Sequence, residues 1–332
     1  MYGETTSEWY RWFGEFEARG NSSRYELWAL GIASDPELLS LIDRLPPEKR
    51  QPNLVLTAAR FLGVGEVSFA EFRAWVLAHW DALAQVILTH RTQTNEVGRT
   101  AVLLPLLAQL PGPLALIEVG ASAGLCLYPD RFSYRYDERT ALDPADGVSD
   151  VTVRCVTTGK PPIPDRLPEV VWRAGVDLNP LDVTNDDQMR WLESLIWPGQ
   201  PDRLQRLRAA IEIAKREPPN ITIGDLNETV AHLVSSAPTD ATVVVFHSAV
   251  LAYLTNEDRA HFEQTIRSLP CHWISNEACT VIASVADQLP TPPAETPGRF
   301  AVALDGVPLA YATPHGQHLD WFRHQPPRTT TR

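Results

Sequence analysis

The spacing of hydrophobic and polar positions changes character near residue 110. Before it, apolar residues recur at helical intervals: Trp9, Trp12, Phe13 and Phe16 form one cluster, and Tyr25, Trp28, Leu30 and Ile32 a second. Ser68 and Glu71 have the spacing of a capping box, in which each side chain satisfies the other's free backbone N–H. The box opens a long predicted helix whose face carries Phe72, Trp75, Val76, Trp80, Leu83 and Ile87. Gln93-Thr-Asn-Glu96 leads into a further helix up to Leu110, and Pro111-Gly-Pro113 stops it. Residues 1–110 are therefore read as an all-helical region, a lid or cap.

From residue 114 the period shortens. Leu114–Val119 is an apolar run interrupted only by Glu118, the pattern of a fully buried strand. Phe132–Tyr136 and Val151–Val156 alternate around an Asp/Pro/Gly-rich loop, which predicts a small antiparallel insertion near 132–168. Further strands are predicted at Val170–Val176, Ile221–Ile223, Thr242–Phe246 and His272–Ser275, with helices at Asn185–Trp197, Asp202–Arg216, Leu226–Val234 and Glu257–Leu269 between them. Asp305-Gly306 between Phe300–Leu304 and Leu309–Ala312 is a hairpin signal. Strand and helix in alternation predict an α/β, Rossmann-like, mostly parallel sheet with a terminal antiparallel hairpin over residues 111–324, and a disordered tail at 325–332.

In such a sheet, ligands bind beyond the carboxyl ends of the strands. The polar residues at those ends are Glu118, Asp177, Asp225, His247 and Glu277. Gly120 and Gly124 allow a tight turn after the first strand, and a helix start following it would offer free N–H groups to a ligand. Gly120-Ala-Ser122-Ala-Gly124 also spells the nucleophile elbow of a serine hydrolase, with Asp225 or Glu277 and then His315 in the required chain order. That fold, however, places several strands before the elbow, and here about a hundred residues of helical pattern precede it. The dinucleotide fingerprint is not met, because Ser122 stands where its second glycine belongs.

Glu118-x-Gly120-x-Ser122-x-Gly124 suits a ligand with an amino-acid end and an adenosine end, as in S-adenosylmethionine. The glycines would let the methionine part lie on the turn. Asp177 would accept the ribose hydroxyls, Asp225 the adenine amino group, and Leu226 would lie against the ring. His247, at the end of the fourth strand, would face the transferred methyl and is the candidate base. Asn95, Glu96, Arg99 and Glu277 are candidates for the substrate side, with the segment 95–99 leaning over the mouth of the turn. A hairpin after the fifth strand is also what class I methyltransferases show.

Composition narrows the partners. The net charge of −12 argues against an extended nucleic-acid surface, so a small-molecule acceptor is expected. Cys126, Cys155, Cys271 and Cys279 form no Cys-x-x-Cys pair, and neither a metal site nor a disulfide framework is indicated. Residues 1–8 lack a signal-peptide pattern and no apolar run is long enough for a bilayer, so a cytoplasmic protein is expected.

The strings Leu-Ile-Glu-Val-Gly-Ala-Ser-Ala-Gly-Leu, Val-Trp-Arg-Ala-Gly-Val-Asp-Leu-Asn-Pro-Leu-Asp and Val-Val-Phe-His-Ser-Ala-Val, with Gln93-Thr-Asn-Glu96 and Pro314-His-Gly316, resemble the "domain of unknown function 2332" family over nearly the whole chain. The resemblance implies a methyltransferase-like protein that uses S-adenosylmethionine. The family usually has Asn where this chain has Cys126, which implies a different arrangement just after the turn. Two alternatives stand beside the methyltransferase: a non-catalytic regulatory module that binds the same ligand, and a hydrolase using Ser122.

Overall fold

The computed structural model describes residues 5–137 and 139–323. The tail expected at 325–332 lies outside the described residues. The chain divides into a helical unit, residues up to Thr94 together with Asn185–Arg208, and a sheet unit, Asn95–Thr184 together with the residues from Ala209 on.

In the helical unit the local signals are met by local bonds. Ser68 and Glu71 form the capping box at the head of helix Phe69–Thr89. Phe72, Val76, Leu83 and Ile87 are buried there, whereas Trp75 and Trp80 are only half-buried. His79 breaks the helical φ/ψ at that point, and its ring stacks on Trp75. Indole and guanidinium donors hold the segment 185–208 to this unit. Trp191 donates to the Arg91 carbonyl (3.0 Å), Trp197 to Asn53 Oδ1 (2.9 Å), and Arg60 to the Ser194 carbonyl (2.8 Å). The sequence pattern groups residues 185–208 with the sheet domain at 111–324; the structure groups them with the helical unit.

The sheet unit is mixed α/β. Its strands are β1 Leu114–Val119, β2 Ser133–Tyr136, β3 Thr140–Leu142, β4 Thr152–Thr158, β5 Val170–Asp177, β6 Asn220–Ile223, β7 Thr242–Ser248, β8 His272–Ala278, β9 Phe300–Leu304, β10 Val307–Ala312 and β11 His318–Trp321. They form one mostly parallel sheet of eleven strands in the order β3-β2-β4-β11-β10-β9-β8-β7-β1-β5-β6. The stretch β6-β5-β1-β7-β8 is all parallel. Its progression reverses at β1, with β5 and β6 on one side and β7 and β8 on the other, so a crevice is expected where β1 and β7 part.

All six β1 residues are buried, as the apolar run required. Ile117 and Val119 face a core with Val176, Val245, Trp273, Val230 and Phe262. By alternation Glu118 faces the opposite side. On the hairpin, Asp305 and Gly306 both have positive φ (+52° and +78°), the requirement of a tight turn matched to strand twist.

Three expectations change. The insertion is not simply antiparallel: β2 pairs antiparallel with β3 but parallel with β4. Nor does it stand apart as an insertion, because β4 pairs with β11 at the far side of the main sheet. And no α-helix follows the glycine turn: Gly124 is left-handed and only a single turn, Leu125–Leu127, comes after it.

Candidate functional site

The glycine turn closes on itself. The N–H groups of Gly120 and Ala121 donate to the Val176 carbonyl (2.8 and 3.2 Å), and that of Gly124 to the Ala121 carbonyl (2.6 Å). The Ser122 N–H donates to Asp177 Oδ2 (2.8 Å) and the Leu125 N–H to Asn95 Oδ1 (3.0 Å). The N–H groups of Gly120, Ala121, Ser122, Gly124 and Leu125 are thus already taken by the protein. The glycines are explained the same way. Both have positive φ (+70° and +69°). A Cβ on Gly120 would run into the Val250 methyls, and one on Gly124 would stand 2.8 Å from Pro219 Cγ.

Asn95, Glu96 and Arg99 do come to this turn. Asn95 bridges it, donating to the Ala121 carbonyl (3.4 Å) while accepting from Leu125. Glu96 is buried and accepts from the Gly98 N–H (3.0 Å); its carbonyl accepts from the Cys126 thiol (3.5 Å). Arg99 is buried and donates to the carbonyls of Pro314 and Ser248, both at 2.9 Å. Gly98 and Gly316 meet backbone to backbone, where a side chain on either would collide. Residues 98–99, just after the first of the strings quoted above, and the string 314–316 are therefore neighbours in space.

Glu118 is one of the buried groups left incompletely satisfied. It is 7% exposed, and its Oε2 has no hydrogen-bond partner. Burial drives its pKa well above the usual carboxylate range. Arg99 pulls it down, the Asp177 charge adds to the rise, and the Cys126 thiol lowers it. Cys126 is likewise held as a neutral thiol, mainly by burial and then by the Glu118 charge. Ser122, 3% exposed with φ +51°, also has an unpartnered Oγ, so no histidine is bonded to it as a hydrolase would need.

His247 lies at the end of β7 as expected, fully buried. Trp273 Nε1, which can only donate, donates to His247 Nε2 at 3.0 Å. The ring proton therefore sits on Nδ1, which donates to Glu277 Oε1 at 2.7 Å. Neither nitrogen is open to a substrate, so this structure gives His247 no path to act as a base. Glu277 Oε1 also accepts from the N–H groups of Val250 (2.8 Å) and Leu251 (3.0 Å). Asn276 donates to Ser248 Oγ (2.8 Å). Together these hold a loop in which Ala249 sits at φ +58°. Two of the non-glycine residues at positive φ, Ser122 and Ala249, thus lie in the loops that follow β1 and β7.

On the other side of β1, Asp177 also accepts from the Asn179 N–H (2.8 Å), and Asp225 caps the helix Leu226–Ser236 through the Asn227 N–H (2.8 Å). Leu226 is half-buried against the core. The sequence reading missed Leu178 and Ile223, which are 68% and 74% exposed, and Tyr253, 89% exposed on the loop after β7. Asp177 pairs with Ile223 in register, so β5 and β6 end in two carboxylates and two bare aliphatic side chains. The signal in the sequence was Leu178 directly after Asp177 and Ile223 two residues before Asp225.

A family model described as "Uncharacterized protein conserved in bacteria (DUF2332)" matches residues 7–321. The chain belongs to this family. No curated protein and no solved structure matches it. In this DUF2332 chain no described helix is long and apolar enough to cross a membrane.

Proposed function

We propose that the chain binds S-adenosylmethionine beyond the carboxyl ends of β1, β5 and β6 and transfers its methyl group to a small-molecule acceptor. The observation that carries this reading is the pairing of Asp177 and Asp225 with the exposed Leu178 and Ile223 on adjacent strand ends. Each carboxylate accepts backbone N–H bonds and still has acceptor sites left for hydroxyl or amino protons. The two aliphatic side chains offer a flat heterocycle the apolar contact that otherwise faces water. The strand progression in β6-β5-β1-β7-β8 fits a Rossmann-like methyltransferase sheet and supports the same reading.

The fit is to the nucleoside end. Five of the turn amides are occupied, so the amino-acid end would be held largely by side chains. A bound S-adenosylmethionine supplies an electrophilic methyl. The chain's part is to position the acceptor and exclude water, which does not require His247 as a base. Free thiols at Cys126, Cys155, Cys271 and Cys279 suit the reducing cytoplasm.

The test is calorimetric titration and thermal melting with S-adenosylhomocysteine. At a hundredfold excess over Kd, binding should add about 2.7 kcal/mol to native stability. Asp177→Ala and Asp225→Ala should each weaken it. No heat and no melting shift with either the methylated or the demethylated ligand would overturn the reading. Binding without labelled methyl transfer to any component of a cell extract would favour a regulatory module.

A further inference from the structure

We propose that Lys49 and Arg91 form an anion site in the helical unit, and that it takes the phosphoryl group of a small molecule, as inorganic phosphate or a phosphate monoester. The two residues come from segments that run side by side. Lys49 Nζ donates to the His90 carbonyl (2.7 Å), and Thr92 Oγ1 donates to Gln51 Oε1 (3.3 Å), so residues 49–51 lie along 90–92. Trp191 Nε1 donates to the Arg91 carbonyl (3.0 Å). The His90 ring packs on both Phe61 and Trp191, with centroids 5.5 and 4.3 Å away. The backbone that carries Arg91 is thus held by several groups, and none of them uses its guanidinium.

Local packing does not account for the charges. The chain has 41 acidic residues against 29 Lys and Arg, so a surface cation has carboxylates in plenty to pair with. In the same unit Arg19, Arg50, Arg73 and Arg190 all do so. Arg91 is exposed, and among the described residues its guanidinium makes no ion pair or hydrogen bond. Lys49 bonds a neutral carbonyl. The two cations instead act on each other. Burial first, and then the Arg91 charge, hold the Lys49 ammonium below the ordinary lysine pKa, and the neighbouring Glu48 charge opposes this only in part.

Like charges held together raise the free energy, and an anion shared between them reverses the sign. Lysine supplies a compact point charge and arginine a planar fork of donors, which together suit an oxyanion. A phosphoryl group carries about −1.5 to −2 charges at pH 7 and so matches two cations better than a singly charged carboxylate does. The helix Pro52–Phe61 starts beside this strip without a side-chain cap, and the sign of its dipole there adds to the field. Every residue named belongs to the helical unit, so the site stands apart from the methyl-transfer reading.

The chain has three lysines, Lys49, Lys160 and Lys215, so lysine-labelled full-length protein gives few side-chain NMR signals to assign. Inorganic phosphate, glycerol phosphate and acetate are titrated in turn, with affinities from calorimetry and the Lys49 titration from its Cε signal. A phosphate should bind, and acetate at least about tenfold more weakly, the loss expected for a missing charge-assisted bond. Tighter binding of glycerol phosphate assigns the monoester, and tighter binding of inorganic phosphate the free ion. The Lys49 midpoint should rise in the bound state, because an anion favours the ammonium. Arg91→Gln should weaken phosphate by about tenfold or more, and without any ligand should raise the Lys49 midpoint, since the neighbouring charge is gone. An unchanged melting temperature without phosphate certifies that this variant is folded. Equal affinity for phosphate and acetate, a phosphate affinity untouched by Arg91→Gln, or a response confined to Lys160 or Lys215 would each overturn the site. A short oligonucleotide that binds where both phosphates fail would make this a nucleic-acid contact and overturn the small-molecule ligand.

Discussion

Gly120→Ala tests the packing at the centre of the site, and its cost can be worked from the structure. The residue sits at φ +70°, where a Cβ costs about 1–2 kcal/mol. The new atom would also stand 2.8 Å from Val250 Cγ1 and closer still to Cγ2. Val250 cannot retreat freely, because Glu277 holds its N–H and that of Leu251. Overpacking of this kind adds about 1–3 kcal/mol. The single variant should therefore lose about 2–5 kcal/mol. Val250→Ala alone, at a half-buried position, should lose about 1 kcal/mol. In the double variant the methyl clash is gone, and the backbone cost, the lost methyls and a 3.2 Å contact with the Cβ at position 250 remain. The cycle should then show a favourable coupling of about 1–3 kcal/mol. Urea unfolding of the four proteins, followed by tryptophan fluorescence, measures it. Additivity within about 0.5 kcal/mol would show that the turn and the β7 loop are not packed as described.

Two further predictions use the same site. Glu118 is an acid whose native pKa is raised, so the native state binds its proton more tightly than the unfolded chain does, and its contribution is lost as pH rises from the ordinary glutamate range through the raised native value. The stability of Glu118→Gln relative to the parent should therefore climb with pH above about 4.5 in paired urea titrations, and a difference independent of pH would refute the burial argument. Ala249→Gly relieves a left-handed alanine at φ +58° and should raise stability by about 0.5–1 kcal/mol, read as a higher urea midpoint; a lower midpoint would mean that the strain is not there.

What could be read from sequence was whatever depends on neighbours along the chain. The capping box at Ser68 and Glu71, the buried run of β1 and the Asp305-Gly306 hairpin are set within a few residues. The strand-end acids were legible because strand ends are. What failed depended on partners far along the chain. His247 read as a free base until Trp273 and Glu277 took both of its nitrogens. Gly120 read as room for a ligand, but Val250, far along the chain, fills it. Alternation at 132–136 and 151–156 told which face is buried and not which strand lies alongside, so the parallel β2–β4 pair was missed. Leu178 and Ile223 are ordinary residues in a string and become informative only when two adjacent strands leave them bare.

The way β4 joins the sheet has a bearing on the order of assembly. Strands β2, β3 and β4 are made between the first two members of the parallel set, yet among the described residues they join its sheet through β11. On a growing chain, residues 133–158 emerge more than 150 residues before His318–Trp321. Until that last strand enters between β10 and β4, the early ribbon has an open edge and nothing to pair with in the main sheet. The final few residues of the sheet thus act as a late clasp on one of its earliest parts, and ribosome-bound chains stopped at Ala312 should leave β4 open to protease while β1 and β7 are already paired.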